Sequence, residues 1–140
     1  MARGVLTFDF PRVAAFAQAR IPSLALQEGM RAIGLERDGQ VIAAAIYEGF
    51  NGANIWVHLA AVDGRSWLNR DFLRAGFAYP FKVCGVQTLW GWVEARNADA
   101  RRFDEHVGFR QVACLPGAAS DGGDVLVYAM KRQECRFLEL

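Results

Sequence analysis

Between Ala61 and Ser66 the hydrophobic period of this chain changes, and that change restricts the available folds more than any other feature. Before it, apolar residues alternate or run on continuously, as in strands. After it, Leu68, Phe72, Ala75 and Tyr79 recur at four- and three-residue steps, as on one face of a helix. The upstream part reads as an antiparallel meander. Residues 30–37 and 41–50 flank Asp38-Gly39, a dipeptide that supplies the positive φ angles of a type I′ hairpin. The second of these strands, Val41 through Tyr47, is apolar on both faces, which places it inside a sheet. Asn51-Gly52 marks another turn, and residues 54–61 form the third strand.

The flanking segments complete the pattern. Residues 9–21 have a helical stripe in Val13, Phe16 and Ala17, with Pro11 in the first turn and Pro22 at the end. Pro80 is expected to stop the helix of residues 66–79. Residues 86–95 read as a strand, with Leu89, Trp90, Trp92 and Val93 facing both ways. Asn97 is placed to cap a helix and Asp99 to complement its dipole; Ala100, Phe103 and Val107 form its apolar side and Gly108 its C-cap. Residues 110–115 and 124–131 are the last strands, joined by the loop 116–123. The order helix, three strands, helix, strand, helix, two strands predicts a mixed sheet with helices on both faces, in one domain spanning residues 1–140.

Composition then removes whole classes of function. With 53% hydrophobic and 22% charged residues the chain is globular rather than disordered. A net charge of +1 gives no field to draw in nucleic acid, and the aromatic residues alternate within strands rather than interleaving with a basic stripe. No run approaches the roughly 20 apolar residues that span a bilayer, and the N-terminus lacks the apolar core of a signal peptide. Cys84, Cys114 and Cys135 are scattered outside any CxxC pair, which points to reduced thiols of a cytoplasmic protein rather than a disulfide framework or a zinc site. Two histidines and no clustered carboxylates leave little from which to build a metal site. There is no Gly-rich loop ending in Lys-Ser/Thr, hence no Walker-type phosphate site.

The run Asn97-Ala98-Asp99-Ala100-Arg101-Arg102-Phe103-Asp104-Glu105-His106-Val107-Gly108-Phe109 resembles the Asn-x-x-Ala…aromatic/Leu…Gly-Phe segment of the GCN5-related N-acetyltransferases. The order of elements is similar from about Phe8 to Phe137, and the likeness is closest to the branch that acetylates N-terminal amines of ribosomal proteins and to its compact prophage-encoded relatives. The resemblance implies an α/β (α+β) fold with a mixed, mostly antiparallel central sheet, in which strands 54–61 and 86–95 are parallel neighbours that splay apart. Acetyl-CoA, the cosubstrate, inserts between them. On this reading the backbone of Leu59, Ala60 and Ala61 pairs with the pantetheine arm as an added strand does. Asn97 hydrogen-bonds pantetheine as well as capping its helix, with Ala100 and Phe103 alongside. The pyrophosphate sits on the segment Arg65, Ser66, Trp67, Leu68, Asn69 and Arg70, where free N–H groups and the positive end of a helix dipole meet an anion. Arg65 and Arg70 add charge-assisted bonds there, and Ser66 a hydroxyl.

The chain departs from the family in two places. Where the family's loop has small residues this one has Trp67 and Asn69, and its first basic or amide position is Gly64. Trp67 therefore reads either as a core anchor for the helix or as a cofactor contact. Asp104 stands where many members carry a tyrosine that protonates the leaving thiolate; an aspartate has a proton to give only if burial raises its pKa. Glu48, His58 and Glu94 are the candidate bases, and the sequence does not choose among them. The function implied is acetyl transfer to a primary amine, on a protein N-terminus or a small molecule. The alternative is a catalytically inactive binding or assembly protein on the same fold. Little chain precedes the meander, so the acceptor groove is expected to be open, with further specificity from the loop 116–123 or from the second subunit of a homodimer.

Overall fold

The computed structural model describes residues 4–64 and 67–138. Its elements are β1 (Val5–Thr7), α1 (Phe10–Arg20), β2 (Arg31–Arg37), β3 (Gln40–Glu48), β4 (Asn54–Ala61), α2 (Arg70–Ala78), β5 (Thr88–Glu94), α3 (Ala98–Val107), β6 (Arg110–Leu115) and β7 (Val125–Lys131). The seven strands form one sheet in the order β1-β2-β3-β4-β5-β7-β6. Only the β4–β5 pair is parallel; the other neighbours are antiparallel.

The hairpin expected at Asp38-Gly39 is present, with φ of 53° and 78° at the two turn residues. Ala43 through Tyr47 of β3 are buried on both faces. Ala43, Ala45 and Tyr47 join one core, with Leu35, Leu89, Tyr128 and Met130, and α2 and α3 cover it through Phe72, Phe77 and Val107. Ala44 and Ile46 join the other, with Val13 and Ala17 of α1. Helix α1 sits so close to β2 that a Cβ on Gly34 would lie 2.6 Å from Val13 Cγ2, so this glycine sets the helix–sheet spacing.

Three details differ from the sequence reading. Strand β1 was not expected; three residues are too few to show a period, and Val5–Thr7 is held by antiparallel pairing to β2. Helix α2 begins at Arg70 rather than at residue 66, because Asn69 caps it: its Oδ1 accepts from the N–H of Phe72 at 3.0 Å. Pro80 does not end the helical path. Tyr79–Val83 continues it as one π-helical turn, with Pro80 and Phe81 buried. Proline has no N–H to give to the carbonyl four residues back, Gly76. The hydroxyl of Tyr47 donates to that carbonyl instead, at 2.6 Å, so the oxygen is satisfied and the turn survives.

Candidate active site

The parallel pair β4–β5 is short by construction. Its register runs from Asn54↔Thr88 to Val57↔Gly91 and ends there. Each strand continues with its other neighbour: β4 stays paired with β3 as far as Ala61, and β5 with β7 as far as Glu94. The two therefore part at Val57 and Gly91, and among the described residues no strand lies along the β5-facing edge of Leu59, Ala60 and Ala61. Leu59 and Ala61 are half-buried toward α2 and α3, while Ala60 is buried toward α1.

On the α1 face of this opening, His58 Nε2 is hydrogen-bonded to Glu48 Oε2. The antiparallel register explains the meeting, since Glu48 opposes Trp56 and Ile46 opposes His58, which makes the pair diagonal neighbours on one face. Their side chains are 14% and 30% exposed, so the pair is sheltered yet reachable. The contact engages Nε2, and Nδ1 is the ring nitrogen turned away from the carboxylate. Glu94 is engaged elsewhere: Arg96 binds its Oε2 at 2.9 Å and Ser120 Oγ donates to its Oε1 at 3.2 Å. Of the three candidate bases, the structure brings together Glu48 and His58.

On the opposite face Asp104 projects from α3 to the root of the opening. A Cβ on Gly91, the last paired residue of β5, would stand 3.5 Å from Asp104 Oδ2. Asp104 is 8% exposed, and burial, helped by the negative charge of Glu105, pushes its pKa up to about 7. The condition attached to an aspartate at this position is therefore met, because it retains a proton near neutral pH. Tyr128 is committed beside it, its hydroxyl donating to Glu105 at 2.8 Å.

The loop before α2 has its own arrangement. Arg65 and Ser66 lie outside the described residues. Trp67 is buried, its Nε1 donating to the Gly64 carbonyl at 3.0 Å and its ring centroid 4.8 Å from that of Phe103. Of the two readings of Trp67, the geometry gives the core anchor. Asn69 is occupied as the helix cap, while Leu68 and Arg70 are exposed and line a hollow of about 340 Å³ with Leu73, His106 and Phe137. Asn97 caps α3, its Oδ1 accepting from the N–H of Ala100 at 3.1 Å. The sequence reading did not single out the three indoles of Trp56, Trp90 and Trp92, which gather on the α1 face beside His58. Their signal was the two-residue spacing of Trp90 and Trp92 on one strand; the pairing with Trp56 depends on a strand register that sequence does not display.

No family model matches the sequence, and no curated protein matches it. Solved structures do. The Ard1 protein of Thermoplasma volcanium superposes with a TM-score of 0.74 at 13% identity, covering 91% of this chain and 97% of that one. The ribosomal-protein-S18-alanine N-acetyltransferase of Escherichia coli gives 0.70 at 22% identity, covering 91% and 93%. The N-acetyltransferase PseH of Campylobacter jejuni, solved in complex with acetyl coenzyme A, gives 0.58 at 16% identity, covering 76% and 70%. At these identities the likeness is one of fold, and with its strand pair parting between a mostly antiparallel meander and a strand–helix–strand unit, the chain has the fold of the GCN5-related N-acetyltransferases.

Proposed function

We propose that this protein is an acetyl-CoA-dependent N-acetyltransferase acting on a primary amine. The observation that carries the reading is the parting of β4 and β5 at Val57↔Gly91, with the His58–Glu48 pair on one face and the buried Asp104 on the other. The free edge of Leu59, Ala60 and Ala61 suits the pantetheine arm, with Asn97, Ala100 and Phe103 bordering it. Arg70 at the start of α2, together with Arg65 and Ser66, is assigned to the pyrophosphate. Acetyl-CoA supplies an acyl group already activated as a thioester.

The chain's own residues then handle protons. Glu48 orients the imidazole, and His58 takes a proton from the incoming ammonium, leaving a neutral nitrogen to attack the carbonyl carbon. As the carbon–sulfur bond breaks, Asp104 delivers its proton to the departing sulfur, and the nitrogen, now bonded to the acyl carbon, releases its second proton to solvent. An ammonium and a thioester thus become an amide, a thiol and one released proton, and Asp104 recovers its proton from solvent.

The packing of Trp67 on Phe103 favours a second reading, a binding or assembly protein without turnover, because the family has a small residue at that loop position. Release of thiol from acetyl-CoA in the presence of a panel of primary amines separates the two. The expected result is amine-dependent release that falls about 10²-fold in kcat in His58→Ala, with KM for acetyl-CoA little changed. Binding of acetyl-CoA without release for any amine would establish the second reading.

A further inference from the structure

The sheet has two ends, and they differ. β6 closes one of them with all six residues exposed, and an irregularity between Gln111 and Ala113 breaks its register. A bulge of this kind turns an edge strand away from further pairing. β1 closes the other end. Its register with β2 is unbroken from Val5 to Thr7, and among the described residues nothing pairs with its outer edge. Val5 is 55% exposed, and Phe8, just beyond the strand, 66%. Three residues make a short strand, so this edge alone would hold a partner weakly.

Helix α2 supplies the rest of the surface. Asp71, Arg74, Ala75 and Ala78 follow one another at three- and four-residue steps, which puts them on one stripe of the helix. Phe72 and Phe77 of the same helix are buried in the core. Together with Val5 and Leu6 of β1, the stripe lines an open groove of about 470 Å³. The two alanines leave room for a second helix to approach. The two charges are unpaired: among the described residues neither Asp71 nor Arg74 has an ion-pair partner, and the buried Nε of Arg74 has no acceptor. Other charges nearby are engaged or directed elsewhere. Glu36, opposite Val5, is bound by Arg12 at 2.8 Å. Arg70 lines the hollow between α2 and α3, and Arg37 lies on the inner strand β2, outside the groove lining.

The order of the charges identifies what fits. A two-fold axis perpendicular to the sheet at its β1 edge pairs β1 with a second β1 in antiparallel fashion. The same axis sets the two α2 helices side by side and antiparallel on one face of the combined sheet. In that order Asp71 of each helix stands against Arg74 of the other, so a stripe with one charge of each sign is complementary to itself. An added peptide of a single charge sign would satisfy only one of the two.

We propose that the β1 edge and the Asp71–Arg74 stripe of α2 form the interface of a two-fold homodimer of this chain. The inference goes beyond the transferase reading and does not depend on it. β2 and β3 separate this edge from the parting of β4 and β5, so the dimer leaves both openings free.

The test is sedimentation of the native protein over a range of concentrations, repeated with charge variants. The native chain is expected at twice its chain mass at about 100 µM, dissociating on dilution. Asp71→Arg puts two cations on the stripe and Arg74→Asp two carboxylates, so each variant alone should dimerise at least about tenfold more weakly. Mixing the two variants in equal amounts should restore the dimer, because each stripe then meets its opposite. The double variant Asp71→Arg/Arg74→Asp should also dimerise, as the reversed pairs attract again. Asp71→Asn and Arg74→Gln remove charge without reversing it; each should weaken the dimer about threefold, and they decide the matter if circular dichroism shows a reversal variant unfolded. A native protein that stays monomeric at about 100 µM overturns the proposal and leaves the groove to a different partner. Dimers that survive both single reversals unweakened, or that fail to return when folded variants are mixed, overturn it too, since the contact would then lie elsewhere.

Discussion

Asp104→Asn is expected to make the protein more stable in mild alkali and far slower as a catalyst. Asp104 is buried at the root of the parted strands, and burial holds its pKa near 7, well above the ordinary carboxylate value of 3.8. A carboxyl whose pKa is raised by folding binds its proton more tightly in the native state. Its contribution to stability is therefore greatest below about pH 4, declines as pH rises, and levels off above about pH 7. The decline amounts to about 4 kcal/mol over the full window, at 1.36 kcal/mol per pKa unit. The asparagine variant has no such decline. Urea unfolding of both proteins should show Asp104→Asn gaining about 3 kcal/mol on the native protein between pH 4.5 and pH 8. The same substitution removes the proton donor. Native kcat should fall above about pH 7 as Asp104 ionises, whereas the variant should lose about 10²-fold at pH 6.5 and show no limb there. A stability difference that does not change with pH would contradict the burial of a protonated Asp104, and a retained limb would contradict its role as the acid.

Trp67→Ala is expected to carry the largest cost in stability of any single change in the loop before α2. The indole is buried, packs on Phe103 at 4.8 Å and on Phe72 at 6.4 Å, and donates to the Gly64 carbonyl. Deleting a buried aromatic side chain costs about 3–5 kcal/mol, a large part of the roughly 5–15 kcal/mol that holds a domain together. The melting temperature should drop by about 10 °C or more. Trp67→Phe keeps most of the ring contact and loses the N–H bond, for about 1 kcal/mol. A residue serving only to touch the cofactor would behave differently: its removal would leave the melting temperature of the unliganded protein within a degree or two and weaken acetyl-CoA binding.

What was legible in the sequence was what is decided locally. Asp38-Gly39 needs only its own φ angles, Asn97 only the N–H of Ala100, and Gly108 only its left-handed conformation at φ 113°, so each could be placed from neighbouring residues. The unbroken apolar run of β3 and the helical stripe of α3 are likewise properties of one segment. What the sequence misread or left open depends on residues far away in the chain. Pro80 is tolerated because Tyr47, on a strand formed much earlier, supplies the missing donor to Gly76. Trp67 faces inward because Phe103 of α3 is there to receive it. The pairing of His58 with Glu48, the commitment of Glu94 to Arg96, and the approach of Asp104 to Gly91 follow from sheet register and helix placement, which no local spacing encodes. The sequence could thus name candidate residues, but not the arrangement that brings some of them together.

Calorimetric titration of the native protein with acetyl-CoA tests the central claim most directly. The account predicts saturable binding of one molecule per chain in the micromolar range, with a rise in melting temperature corresponding to about 2.7 kcal/mol at a hundredfold excess over the dissociation constant. No heat and no melting shift at millimolar acetyl-CoA would contradict it, and would mean that the parted strands of this fold hold something other than an acyl thioester.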